Sequence, residues 1–153
     1  VAATLDAMDR SNRDALDVLR AFDVHACTDV TGFGLLGHLA EMLRASGLGA
    51  VIALDRVPRL PGALELLSAG VESSLASANA LVLDDFDCSE TRADAGLRLL
   101  IDRQTSGGLL AGVAADRAQA CTEMLHARGY EAAVIGTVRA ADRPGTGRVV
   151  HGD

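Results

Sequence analysis

One stretch of the chain, residues 25–38, combines a carboxylate, hydroxyls and glycines where a predicted strand meets a predicted helix. Free N–H groups at the start of a helix attract an anion. A carboxylate beside them repels that anion unless a cation lies between the two, and Mg²⁺ is commonly held by one or two carboxylates together with phosphate oxygens. The stretch therefore predicts a metal–phosphate site. Its candidates are Asp29 as the metal ligand, and Thr31, Gly32 and Gly34 beside the phosphate.

A second polar loop that contains glycine, residues 102–108, leads into another predicted strand. Its hydroxyls and successive backbone N–H groups could form a further anion-binding concavity. The alternative is a simple turn between a helix and a strand, and the spacing leaves both open. The candidate phosphate-binding residues of this loop are Thr105, Ser106, Gly107 and Gly108.

The glycines of residues 32–37 also match the dinucleotide-binding pattern G-x-G-x-x-G, and Asp55 ends the next predicted strand, where a ribose-binding acid would stand. Two observations weigh against that interpretation. The first strand ends in the polar residues Thr28, Asp29 and Thr31 rather than in apolar ones, and only one further strand-helix-strand unit follows. We therefore favour the metal–phosphate interpretation and predict that Asp55 is a strand-end carboxylate before a turn.

Three clustered carboxylates, Asp84, Asp85 and Asp87, form an acidic patch. They could hold a cation, but a solvated loop is the simpler interpretation.

Two histidines, His25 and His38, flank the glycine stretch, and His38 is expected on the helix surface near the site in a structural role. No Ser-His-Asp or Cys-His arrangement for nucleophilic catalysis can be assembled from these residues.

The three cysteines, Cys27, Cys88 and Cys121, are widely spaced and include no Cys-x-x-Cys pair. They indicate neither a zinc ribbon nor a disulfide framework, which favours a reducing, cytoplasmic setting. Each is expected to be a small buried hydrophobic residue. Cys27 would share a strand face with Asp29, whose charge raises a thiol pKa, so we do not predict a nucleophile there.

The composition fits one globular domain: 153 residues, 49% of them apolar, with a formal net charge of −7. An acidic chain without a basic cluster argues against nucleic acid as a partner. No signal peptide and no membrane-spanning run is recognised. Because the sequence opens at Val1 rather than Met, we expect a piece of a longer protein.

Apolar periodicity predicts alternating helices and strands. Helices are predicted at 4–22, 33–46, 63–68, 91–101 and 116–128, with Asp116 capping the last. Strands are predicted at 24–30, 50–54, 109–113, 132–138 and 148–151. Residues 71–90 are expected to be mostly irregular. Two strand-helix-strand units, at 24–54 and 109–138, predict an α/β (α+β) fold with a layered mixed sheet and packed helices.

Two motifs resemble one known family. Residues 26–38 resemble the hallmark that opens the C-terminal half of selenophosphate synthetase (selenide, water dikinase), and residues 102–110 resemble its Asp-Pro-Gln-Thr-Ser-Gly-Gly-Leu-Leu stretch. Residues 57–70 and the first helix also fit, and the likeness runs from near residue 5 to about Val138. Arg103 departs from the family's proline, and residues 72–79 replace a glycine-rich form in which Asn79 corresponds to a retained position.

The resemblance implies an AIR synthetase C-terminal-domain-like fold. Beyond Val138 no resemblance is claimed, and we expect one domain over 1–153 with a core at 4–140 and a terminal hairpin or tail at 141–153. It implies the C-terminal half of an enzyme that makes selenophosphate from selenide, ATP and water with Mg²⁺, releasing AMP and phosphate. Only the metal ligand Asp29 carries over. The catalytic residues and most of a homodimer contact belong to the N-terminal domain, the expected partner, so this chain alone is expected to be inactive.

Two other interpretations stay open. The first is another ATP-binding enzyme of the same superfamily, of the hydrogenase-maturation or thiamine-phosphate kinase type, against which the second loop argues. The second is a non-catalytic binding or assembly module that kept the fold.

Overall fold

The computed structural model describes residues 2–152, with side chains from residue 4 onward; the first and last residues of the predicted domain lie outside this range. The helices are α1 (Ala2–Asp9), α2 (Arg13–Ala21), α3 (Gly34–Ser46), α4 (Ala63–Ser68), α5 (Ala76–Asn79), α6 (Ala95–Ile101) and α7 (Ala118–Ala127). The strands are β1 (Ala26–Asp29), β2 (Gly49–Ala53), β3 (Phe86–Asp87), β4 (Leu109–Gly112), β5 (Gly136–Arg139) and β6 (Gly147–Val150). Short 3₁₀ turns cover Leu54–Arg56 and Ala80–Asp85.

The strands form two sheets. One is the antiparallel pair β1–β4, and the other has the order β3-β6-β2-β5, in which β2 is antiparallel to β5 and parallel to β6. The predicted fold class, mixed sheets with packed helices, is confirmed. The two predicted strand-helix-strand units exist in order along the chain, but each has its two strands in different sheets. The units pair with each other instead, β1 with β4 and β2 with β5.

The last strand, β6, is an interior strand between β3 and β2, parallel to both. The strand predicted at 148–151 is therefore present, but it does not form a terminal hairpin, because both of its neighbours run parallel to it. Val149 is 1% exposed and belongs to the main core, and this burial explains why the segment enters the sheet. The stretch 71–90 is also more regular than expected, since it holds α5, a 3₁₀ turn and β3.

Two hydrophobic cores hold the elements together. The main core fills the space between the four-stranded sheet and helices α3 and α6, with Leu36 and Leu100 at most 1% exposed. A smaller core joins α2 and α7 beside β4. Burying a leucine side chain contributes about 1.5–3 kcal/mol. The main core therefore fixes the starts and ends of α3 and α6, from which the candidate loops emerge.

The first predicted helix, 4–22, is two helices, because its middle is used to anchor other elements. The Arg13 N–H donates to Ser11 Oγ (3.2 Å), and the Tyr130 hydroxyl donates to the Ser11 carbonyl (2.8 Å). The Arg10 guanidinium lies 4.0 Å from the centre of the Tyr130 ring and donates to the carbonyls of Arg128 and Gly129, just after α7. The predicted Asp116 cap is also wrong, since α7 begins only at Ala118.

Among residues 2–152, none of the helices has the length and apolar character needed to cross a membrane.

Candidate phosphate and metal site

The two loops chosen from the sequence lie side by side. The Val30 N–H donates to the Gly108 carbonyl, and the Gln104 N–H donates to the Thr31 carbonyl, both at 2.9 Å. These bonds prolong the β1–β4 pairing beyond Asp29, whose register partner is Leu109. We call residues 29–34 and 101–108 together the glycine corner.

Asp29 stands at the edge of this corner, at the end of β1, and its side chain is exposed. The hydrogen bonds and ion pairs found among residues 4–152 do not use its carboxylate; the nearby Thr28 hydroxyl donates to the Asp29 main-chain carbonyl (3.2 Å). The same residues contain no group of three His, Cys, Asp or Glu side chains placed to hold a metal ion. Within the described chain, Asp29 therefore does not belong to a ready-made cluster of three metal-binding side chains.

The glycines of the corner divide into two kinds. Gly34 has φ +69°, and a Cβ there would lie 2.7 Å from the Ile101 carbonyl carbon. A Cβ on Gly107 would overlap the Val30 carbonyl oxygen. Gly32 and Gly108, by contrast, have no atom within 4 Å of an added Cβ. Gly34 and Gly107 thus make room for backbone, because the loops pack tightly, whereas Gly32 and Gly108 border open space. The phosphate-binding role of the four glycines stays a prediction.

Thr31 is tied into the fold through His38. Their Oγ1 and Nε2 atoms are 3.2 Å apart, and His38 Nδ1 lies 3.6 Å from the Glu41 carboxylate. His38 is 9% exposed, so it is buried rather than on the helix surface, while its expected structural role agrees with these contacts.

The second loop presents its two hydroxyls outward. Thr105 and Ser106 are exposed, and Ser106 has a φ of +52°, a left-handed conformation that few non-glycine residues adopt. This loop is thus a sharp turn, as one interpretation predicted, with hydroxyl groups available to a ligand.

Two asparagines that the sequence reasoning did not assign to the site hold this corner. Asn79 Nδ2 donates to the Gly32 and Ile101 carbonyls, each at 2.9 Å, and Asn12 Nδ2 donates to the Gly107 carbonyl at 2.9 Å. The only sequence signal was the resemblance itself, in which both positions fit the family.

The dinucleotide interpretation is not supported, because β1 and β2 belong to different sheets. The Asp55 carboxylate accepts the Gly152 N–H (3.0 Å) and lies 3.6 Å from His151 Nδ1. Asp55 is therefore a strand-end carboxylate with a structural partner, as predicted.

The acidic patch is paired with arginines that lie far away in the sequence. Asp85 contacts Arg44 and, at 2.7 Å, Arg143. Arg148 contacts Asp87 at 3.2 Å and Glu90 at 2.8 Å. The pKa of Asp87 is lowered, first by the Ser89 backbone N–H and then by the Ser89 hydroxyl and Arg148. We call these six ion-paired residues the arginine rim; they are Arg44, Asp85, Asp87, Glu90, Arg143 and Arg148. Pairing, rather than a cation or plain solvation, accounts for Asp85 and Asp87.

The cysteines differ from one another in exposure. Cys88 and Cys121 are buried as expected, whereas Cys27 is exposed, contrary to expectation. Partial desolvation of the sulfur, and after it the negative charge of Asp29, raises the pKa of the Cys27 thiol. A raised pKa disfavours the thiolate, which agrees with the prediction that Cys27 is not a nucleophile.

Two surface pockets, of about 200 and 580 Å³, lie along the four-stranded sheet, and no residue of the glycine corner lines either of them.

Comparison with known proteins adds a family to this geometry. Residues 5–147 match the family model described as AIR synthase related protein, C-terminal domain. The chain is 47% identical over 131 residues to the selenide, water dikinase of Pelobacter propionicus, covering 83% of this chain and 37% of that protein. It is 39% identical over 153 residues to that of Myxococcus xanthus, covering 92% and 41%.

A solved structure agrees on the fold. The thiamine-monophosphate kinase of Stenotrophomonas maltophilia superposes with a TM-score of 0.57 at 22% identity, over 86% of this chain and 32% of that one. The chain spans about two fifths of the length of the curated relatives that it matches.

Proposed function

The chain belongs to the AIR synthase related family, as its C-terminal domain, and from that premise we propose that it is the C-terminal domain of a selenophosphate synthetase. The whole enzyme would convert selenide, ATP and water to selenophosphate, AMP and phosphate. The observation that carries the proposal is the glycine corner, in which an exposed aspartate adjoins two glycines that border open space. Relatives named selenide, water dikinase support the substrate assignment.

The residues of the corner fit a magnesium–phosphate complex. Mg²⁺ takes few protein carboxylates and keeps phosphate or water oxygens as its other ligands, which suits the exposed carboxylate of Asp29. When bound, the ion would neutralise phosphate charge in the ATP substrate. Open space at Gly32 and Gly108 allows phosphate oxygens to approach the backbone. The exposed hydroxyls of Thr105 and Ser106 supply additional donors.

The roles of the corner in this proposal are binding and orientation. Phosphoryl transfer depends mainly on positioning and on electrostatic stabilisation of the transferred group. Asp29 would hold the ion, and the two loops would fix the phosphates against it. The nucleophile and the remaining metal ligands would come from the N-terminal domain, the proposed partner, so this chain alone should not turn over ATP. A homodimer, if formed, would use mainly that domain.

The test is selenide-dependent formation of AMP from ATP by the full-length protein. Asp29→Asn should reduce kcat/KM by about 100-fold or more, since it removes a charge that holds the metal-bound phosphates. Asp116→Asn is the matched control, because this exposed aspartate follows the other end of the same two-stranded sheet. Near-normal activity of Asp29→Asn would overturn the metal role, and AMP formation by this chain alone would overturn its proposed dependence on the partner domain.

A further inference from the structure

Resting on the proposed function, we propose that the Asn79 carboxamide is a positioning residue that sets the phosphate-facing geometry of the glycine corner. It does so by fixing the peptide between Gly32 and Phe33 relative to the end of α6. Asn12 fixes the peptide between Gly107 and Gly108 in the same way, by donating to the Gly107 carbonyl.

The first step is the contact that Asn79 makes with both halves of the corner. Its single amide nitrogen donates to the Gly32 carbonyl in the first loop and to the Ile101 carbonyl at the start of the second. Both distances are 2.9 Å, and both contacts are partly buried. An amide nitrogen carries two N–H groups, so this pair of bonds uses its full donor capacity. Asn79 thereby ties two loops that lie far apart in the sequence.

The second step follows from the planarity of the peptide bond. In a trans peptide, the carbonyl of one residue and the N–H of the next point in opposite directions. Because the Gly32 carbonyl points to Asn79, the Phe33 N–H points away from it, just before the first turn of α3. The hydrogen bonds found among residues 4–152 do not use this N–H. Asn79 thus sets the direction of a donor that adjoins the open space at Gly32.

The third step is that the same relation occurs on the other loop. Asn12 donates to the Gly107 carbonyl, so the Gly108 N–H points away from Asn12, and Gly108 is the second glycine with open space around it. Close packing of the loops is already provided by Gly34 and Gly107. Two asparagines from separate parts of the chain therefore each orient one peptide bond beside a glycine that borders open space. Because the packing of the loops does not need this orientation, we infer that it serves ligand binding.

The experiment compares Asn79→Asp and Asn79→Ala in the full-length protein. Aspartate keeps the shape of the side chain but places an oxygen where the donating nitrogen was, and alanine removes the side chain beyond Cβ. Ser77→Ala is the matched control, since this exposed residue lies on the same short helix. The readouts are amide hydrogen exchange without nucleotide, Mg-ATP affinity by calorimetry, and the separate KM values for ATP and selenide.

Both Asn79 variants should exchange faster at residues 31–34 and 101–108. They should bind Mg-ATP on the order of tenfold more weakly, as expected for lost hydrogen bonds to carbonyls of the site, and raise the KM for ATP while leaving that for selenide unchanged. Unchanged exchange in these loops, or unchanged Mg-ATP affinity, would overturn the positioning role. Absence of Mg-ATP binding by the unmodified protein would instead overturn the proposed function, with the exchange result still deciding whether Asn79 fixes the loops.

Discussion

The glycine corner and the arginine rim both contain aspartates, but the aspartates have opposite surroundings in the two regions. In the rim, Asp85 contacts two arginines and Asp87 contacts one. In the corner, no ion pair found among residues 4–152 involves Asp29. A carboxylate that is paired with arginines in the folded chain contributes to the fold. An exposed carboxylate without such a partner can bind a cation from solution. The pairing, more than the number of acidic residues, therefore distinguishes a structural surface from a candidate site.

The largest effect should come from filling the space that joins the two loops of the corner. Gly107→Ala places a methyl group on the Val30 carbonyl oxygen, so the loops must separate. We expect a loss of about 3 kcal/mol or more in the free energy of unfolding, measured by urea denaturation of this chain. Gly108→Ala is the control, because its added methyl group meets open space, and it should cost at most about 1 kcal/mol. Equal losses in the two variants would contradict the division of the glycines.

A smaller effect should follow from removing a carboxylate of the rim. Asp85→Ala leaves Arg44 and Arg143 without this partner, and we expect a loss of about 1 kcal/mol that shrinks at high salt. The exposed neighbour Asp84 supplies the control variant Asp84→Ala.

Asp29→Asn should change the free energy of unfolding by no more than about 0.5 kcal/mol, despite its large expected effect on activity. If Asp29→Asn destabilises the chain more than Asp85→Ala does, the contrast between the regions fails.

The smallest effect concerns the charge that Asp29 leaves exposed. Because that charge adds to desolvation in raising the pKa of Cys27, Asp29→Asn should lower this pKa and increase the thiolate fraction at a fixed pH near 8. Alkylation of Cys27 by iodoacetamide should then be about twofold faster, as followed by mass spectrometry over a pH series. Asp116→Asn should leave the rate unchanged. An unchanged rate in Asp29→Asn would mean that the Asp29 charge does not affect the thiol, and a slower rate would contradict the direction of the effect.

Local patterns in the sequence were enough to predict much of the corner. One contiguous stretch of sequence predicts its first loop, since it contains the polar end of β1, the glycines after it and the apolar stripe of α3. The second loop of the corner, before β4, could likewise be predicted from a contiguous stretch of polar residues and glycines. Their resemblance to a known family then predicted the fold class.

The partners of these elements could not be predicted from local patterns, because they come from distant parts of the chain. The sequence contains no local sign that β1 pairs with β4, or that Arg44 meets Asp85. The break between α1 and α2 likewise depends on Tyr130, at the far end of the chain. Apart from the family resemblance, nothing in the sequence indicated the contacts of Asn79, because both of its acceptors are backbone carbonyls.

The interior place of β6 has a consequence for the order in which the domain can form. β2 and β3 do not pair with each other. β2 also pairs with β5, but β3 is joined to the β2–β5 pair through β6, the last strand of the described chain. Contacts between residues so far apart in sequence are slow to form, because a long loop must close first. We therefore expect the complete four-stranded sheet to assemble late during refolding. During synthesis, this sheet should not form until residues 147–150 have left the ribosome.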